Sequence, residues 1–163
     1  MPKLLRWLAL AALVIGLDQW SKSAVSRHFL YGEMLPLTDF FSLVLAHNPG
    51  AAFSFLGDAG GWQRWLFTGI ALGASAWIFT LLRRHADKPL FCFGLALVLG
   101  GALGNLIDRI AYGYVVDFLY FHWGEHDFPA FNLADSAISA GAALLLWDSF
   151  NPPKEKNDGY SVS

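Results

Sequence analysis

The chain has 163 residues, 55% hydrophobic and 15% charged, with a formal net charge of −2. Soluble domains carry roughly 25% charged residues, and a small soluble fold has too little interior to hide this much apolar surface. A lone cysteine, Cys92, excludes a disulfide framework, and a chain of slightly acidic balance lacks a nucleic-acid footprint.

In chain order, Lys3 and Arg6 precede an apolar run over 4–17 that imitates a secretory signal. The small-x-small triplet Ala9-Leu10-Ala11 lies inside the run, too early for cleavage, so the segment reads as a retained first span. It continues through Asp18, Trp20, Lys22 and Val25 if the polar positions face protein. Asp18 and Lys22 are four apart with the acid first, the favourable order for a helical ion pair. Residues 40–46 are aromatic and β-branched enough for a strand. Asn48-Pro49-Gly50 is a turn signal, with 51–56 as the returning partner.

Residues 65–82 and 89–107 are uncharged and close to the roughly 20 residues that cross a bilayer. Gly69 and Gly73, and Gly100, Gly101 and Gly104, have the small-residue spacing that lets helices approach. Asn105, Asp108 and Arg109 form a polar knot where the second of these spans ends. Residues 115–123 are again β-like. A fourth span covers 131–147, with Asn132 as its N-cap and Asp135 one turn in. The tail, 151–163, reads as a disordered cytoplasmic end. The expected architecture is an all-α integral membrane protein, a bundle of four transmembrane helices with a small extracytoplasmic β-sheet, forming one domain over 1–150.

Lys3, Arg6, Arg83, Arg84, Lys88, Lys154 and Lys156 fall at one end of the spans, which the positive-inside rule places in the cytoplasm with both termini. Most of the acids fall at the other end, so polar chemistry gathers at the outer interface.

Ionisable groups at membrane depth need a partner or a role. Asp135 alone would suit a helix N-terminus electrostatically. Asp117, within Val115-Val116-Asp117-Phe118-Leu119, approaches the same interface. If the two carboxylates meet, they share one proton. The ionised member then takes a proton from water while the protonated one hydrogen-bonds a substrate carbonyl, as in aspartic proteases. Arg109 offsets the carboxylates or anchors at the interface; Asn48 and Gly50 serve as turn residues or site residues. His122-Trp123-Gly124-Glu125-His126 fits the H-x-x-E-H zinc pattern, but that chemistry needs a helix, and Gly124 within a β-like run opposes one.

Together these residues resemble bacterial lipoprotein signal peptidase (signal peptidase II) over 4–150. The signatures are Asp18-Gln19-Trp20-Ser21-Lys22, then Asn48-Pro49-Gly50-Ala51-Ala52-Phe53, then Gly100 through Arg109 to Val115-Val116-Asp117-Phe118, then Phe131-Asn132-Leu133-Ala134-Asp135-Ser136. The resemblance implies a metal-free, cofactor-free aspartyl endopeptidase of the bacterial inner membrane; one active site per chain needs no partner, so a functional monomer is expected. Its substrates would be diacylglyceryl-modified prolipoproteins, cut before the lipidated cysteine near the outer leaflet, with membrane lipid as the other partner. It implies Asp117 and Asp135 as the catalytic pair. Asp18, Lys22, Asn48, Gly101, Asn105, Arg109, Asn132 and Ala134 would bind substrate or support the site. The alternatives are a zinc protease using His122, Glu125 and His126, and a small transporter with buried charges.

Overall fold

The structure, a computed structural model, describes residues 2–50 and 61–151. The return strand expected at 51–56 and the tail from 152 onward lie outside the described residues. The elements run α1 (Pro2–His28), β1 (Met34–Thr38), β2 (Phe41–Asn48), α2 (Trp62–Arg84), α3 (Pro89–Ala111), β3 (Val115–Trp123), β4 (His126–Phe131) and α4 (Leu133–Phe150).

Helices α1, α2 and α3 are long and apolar enough to cross a membrane. Helix α1 is continuous through Asp18 and Lys22, as expected. Helix α4 has 18 residues, about 27 Å at 1.5 Å per residue, and is the short member. It begins at Leu133, two residues later than the span read from the sequence. Asn132 caps it, and Pro129 and Phe131 belong to a strand instead. The bundle shows its apolar side chains outward: Trp65 and Trp77 of α2 are 66% and 67% exposed. That is the inside-out pattern of a helix whose neighbour is lipid.

Helix α3 is central and packs against α1, α2 and α4. Its glycines make this possible. A Cβ on Gly101 would sit 2.3 Å from Ala134 O, and one on Gly100 would sit 2.8 Å from Ala11 O. The close-packing role holds for this patch and fails for Gly69 and Gly73. A Cβ at either would meet nothing within 4 Å, so that face of α2 has no partner among the described residues.

The apolar core of Trp7, Ala11, Ile78, Leu82, Cys92, Leu95, Ala96 and Leu99 fills one end of the bundle. At the same end Arg6 and Trp7 donate to Ala86 O, and Lys3 pairs with Asp87. The chain start and the α2–α3 loop are therefore adjacent.

The opposite end carries the sheet, four antiparallel strands in the order β1-β2-β3-β4. Strands β1 and β4 are additional to the strand-like runs read from the sequence at 40–46, 51–56 and 115–123. Each contains a proline, Pro36 and Pro129, and each lies at an edge, where a missing N–H costs no ladder bond. Val25, Leu45, Val116 and Phe118 bury together and fasten the sheet to the end of α1.

Candidate active site

The site lies where α1, α3, the β2–β3 ladder and the N-terminus of α4 converge. The capping geometry of α4 sets it. Asn132 Oδ1 accepts from Asp135 N at 2.9 Å, and the Asp135 carboxylate accepts from Asn132 N, a reciprocal capping box. The cap leaves Asn132 Nδ2 free to donate elsewhere. It lies 2.7 Å from Asp117 Oδ1, and 3.2 Å from both Asn105 Oδ1 and Val116 O. Asn105, nearly two turns before the end of α3, donates to Asp135 Oδ1 at 2.7 Å. Asn48, the last residue of β2, donates to Asp117 Oδ2 at 3.1 Å. Asn105 and Asn132 thus link a carboxylate from β3 to one from α4.

Behind the amides is a buried ion cluster. Lys22 Nζ lies 2.8 Å from Asp18 Oδ2, 2.9 Å from Asp108 Oδ2 and 2.8 Å from Asn105 Oδ1. Three acceptors match the three protons of an ammonium. Asp18 Oδ1 accepts from Ala134 N, which holds the first turn of α4 against α1. Asp108 also accepts from Gln19 Nε2 and Val116 N, which holds β3 against α3.

Every site residue expected from the sequence therefore falls in one connected region. Gly101 and Ala134 are its closest backbone approach. Two participants were not among those expected, Asp108 and Gln19. Their signal was positional, because Asp108 lies three residues after Asn105 on the same helix face and Gln19 adjoins Asp18. Arg109 makes no direct ion pair with the carboxylates among the described residues. It donates to Gly50 O at 3.3 Å and to Asn105 O at 3.4 Å, and lies 5.3 Å over the Phe67 ring.

Asp117 is buried. Burial first, then the charge of Asp135, push its carboxyl from 3.8 up to about 7, against the pull of bonds from Asn48 and Asn132. A carboxyl titrating there can hold a proton or release one in the neutral range. A cavity of about 420 Å³ opens beside Asp135, with Arg109 and Asn48 also in its lining and Phe128, Pro129 and Phe131 contributed by β4.

The H-x-x-E-H segment forms the β3–β4 hairpin, with Gly124 at φ 59 in its turn. His126 pairs with Trp123, so alternation places it on the face opposite His122. His122 Nε2 instead meets Ser42 Oγ at 3.0 Å.

A family model described as Signal peptidase (SPase) II matches residues 10–151. The chain belongs to the signal peptidase II family. Members of this family are aspartic peptidases of the membrane, and the helices here agree with a multi-pass protein. Similar curated proteins include the lipoprotein signal peptidase of Cupriavidus taiwanensis, 57% identical over 88% of this chain and 82% of the relative. That of Ralstonia nicotianae is 58% identical over 87% and 82%. A solved bacterial membrane enzyme, determined by the in meso method at 2.3 Å resolution, superposes with a TM-score of 0.80. It shares 28% identity, with 93% of each chain covered.

Proposed function

We propose that residues 1–150 act as one membrane-embedded endopeptidase that removes the signal peptide from diacylglyceryl-modified prolipoproteins. It cuts just before the lipidated cysteine, with Asp117 and Asp135 as the catalytic pair. The observation that carries this reading is the linkage of these carboxylates through Asn132 and Asn105 beside a partly apolar cavity. The names of the curated relatives support the substrate class.

The pair works with one shared proton. The ionised carboxylate takes a proton from water as its oxygen attacks the scissile carbonyl carbon, and the protonated carboxyl gives its proton to the carbonyl oxygen. When the neutral tetrahedral intermediate collapses, the C–N bond breaks, the leaving amine takes the proton held by the pair, and a hydroxyl of the intermediate returns one proton to the pair, restoring the starting state. Asn48, Asn105 and Asn132 keep the carboxylates in place, and Arg109 adds a positive charge to the cavity wall. The substrate is held in the bilayer by its helix and acyl chains, so binding supplies orientation. Both termini and the 83–88 loop lie in the cytoplasm, and the sheet end faces outward at the inner membrane. The packed apolar end around Leu82 and Leu99 supports a peptidase over a transporter, because among the described residues it offers no polar path across the bundle.

The test is a gel-shift cleavage assay on a diacylglyceryl-modified prolipoprotein in detergent. Wild type, Asp117→Asn and Asp135→Asn are compared with and without a zinc chelator. Cleavage that resists the chelator and is lost in both variants is expected. Full activity in either variant would sink the assignment.

A further inference from the structure

A second cavity, of about 620 Å³, opens at the sheet end of the bundle on the far side of the Lys22–Asp108 ion pair. It shares no lining residue with the site cavity. The β2–β3 ladder separates the two. Asn48 and Val115 are cross-strand partners and line the site cavity, whereas their neighbours His47 and Val116 are partners and line the second. Successive residues of a strand face opposite sides, so one ladder serves both.

Helix α1 supplies Gln19, Lys22, Ser23, Ser26 and Arg27 to this cavity. Their spacing of three and four makes one continuous polar face on a membrane helix. Lys22 is consumed by the buried cluster. Arg27 is exposed and has neither a hydrogen bond nor an ion pair among the described residues. Asp108 is the acid of the lining and already accepts from Gln19, Lys22 and Val116 N. Nearby Glu33 is occupied by Leu30 N at 2.7 Å. The opposite wall is a ladder of rings. Tyr31 lies 4.8 Å from His47, His47 lies 3.9 Å from Tyr114, and Tyr112 lies 5.9 Å from Tyr114. Phe29 and Leu30 give the cavity an apolar portion.

Depth identifies the occupant. Arg27 is in the last turn of α1 and Tyr112 caps α3, so the cavity sits where two spans leave the hydrocarbon. Exposed Tyr31 and Tyr112 in its lining are of a residue type that settles at headgroup level. We propose that this cavity binds the phosphodiester headgroup of an anionic phospholipid, with Arg27 on the phosphate and the Ser23 and Ser26 hydroxyls as further donors. Basic pockets between membrane helices at the cytoplasmic interface hold such headgroups by the same pairing of a cation with a phosphate. A bound lipid would brace the outer face of the ladder whose inner face carries Asn48 and Asp117.

Full-length protein is placed in nanodiscs of phosphatidylcholine containing one quarter phosphatidylglycerol, and retained lipids are counted by native mass spectrometry. The ratio of phosphatidylglycerol to phosphatidylcholine among the retained lipids is expected to exceed the bulk ratio about fivefold, the effect of one basic contact. Arg27→Gln should bring retention back to the bulk ratio, and Arg27→Lys should keep it. Arg83→Gln, at the opposite end, should change nothing. The double variant Ser23→Ala/Ser26→Ala reads the same cavity without altering charge and should lower the enrichment. No enrichment in wild type, or equal losses in Arg27→Gln and Arg83→Gln, would overturn the proposal. So would displacement of the lipid by millimolar inorganic phosphate, which would mark a soluble anion site. Peptidase activity plays no part in this readout.

Discussion

Asn132 Nδ2 lies 2.7 Å from Asp117 Oδ1. The same side chain caps α4 through Asp135 N, so one amide fixes a strand carboxylate and the helix bearing the second. Asn132→Ala should lose the cap, about 1 kcal/mol, and leave buried groups unsatisfied at about 1–3 kcal/mol more. Asn132→Asp keeps a capping oxygen but places a further carboxylate beside Asp117. Cleavage should fall about 10²-fold or more in both. Thermal melts separate them: both keep the raised Asp117 carboxyl and should gain stability as the pH drops from 8 to 5, but the Asp variant, with a further carboxylate to neutralise, should gain more.

The raised Asp117 carboxyl has a thermodynamic sign. Its folded value of about 7 exceeds the ordinary 3.8, so the folded protein binds the proton more tightly. Below about pH 4 the group is protonated folded or unfolded. Between about 4 and 7 rising pH costs stability, and above about 7 the loss is complete, amounting to at most about 4 kcal/mol. The melting temperature of wild type should therefore fall from pH 5 to pH 8, and that of Asp117→Asn should fall less. Equal slopes would show that Asp117 is already ionised at pH 5.

Activity should follow the shared proton. As the pH rises past about 7 the pair loses its donor, and at low pH it loses its base, giving a bell-shaped kcat/KM profile. The basic limb near 7 is the diagnostic one. A profile flat from pH 6 to 9 would contradict a one-proton pair.

The positions of these groups were legible in the sequence to different depths. Period and length disclosed α1, α2 and α3, because lipid demands long apolar runs. The order of Asp18 and Lys22 disclosed their ion pair, and Asn132 three residues before Asp135 disclosed the cap. Strands β1 and β4 stayed hidden because each is short and interrupted by a proline, features that mark edges only once the central strands are known. Asp108 was visible as polar but not as the second partner of Lys22, because that bond links helices 86 residues apart in sequence. The glycines show the same limit. Spacing alone did not distinguish Gly69 and Gly73, which face outward, from Gly101, which meets α4.

Lys22 is the sole cation bonded to Asp18 and Asp108 among the described residues, and all three are buried. Lys22→Met leaves two buried acids without a counter-charge. Breaking a buried pair this way costs about 3–5 kcal/mol, so the variant should melt far below wild type or fail to accumulate. Adding Asp18→Asn and Asp108→Asn to Lys22→Met should recover part of the loss, because the uncompensated charges are gone. A single variant as stable as wild type would mean that the cluster is solvated.

Gly101→Ala and Gly69→Ala apply the same chemical change to opposite environments. At Gly101 the new methyl would lie 2.3 Å from Ala134 O and 2.7 Å from Ile138 Cγ1. The backbone oxygen cannot swing aside as a side chain would, so α3 and α4 must separate, at about 1–3 kcal/mol or more. The separation would also lengthen the bond from Asn105 to Asp135, so cleavage should fall along with stability. At Gly69 the methyl meets nothing within 4 Å, and alanine is the better helix former by about 1 kcal/mol. Gly69→Ala should therefore melt at or above the wild-type temperature and cleave normally. Melts and cleavage assays on the two variants in parallel decide it, and a loss of cleavage in Gly69→Ala with unchanged stability would mean that this face of α2 contacts the substrate helix.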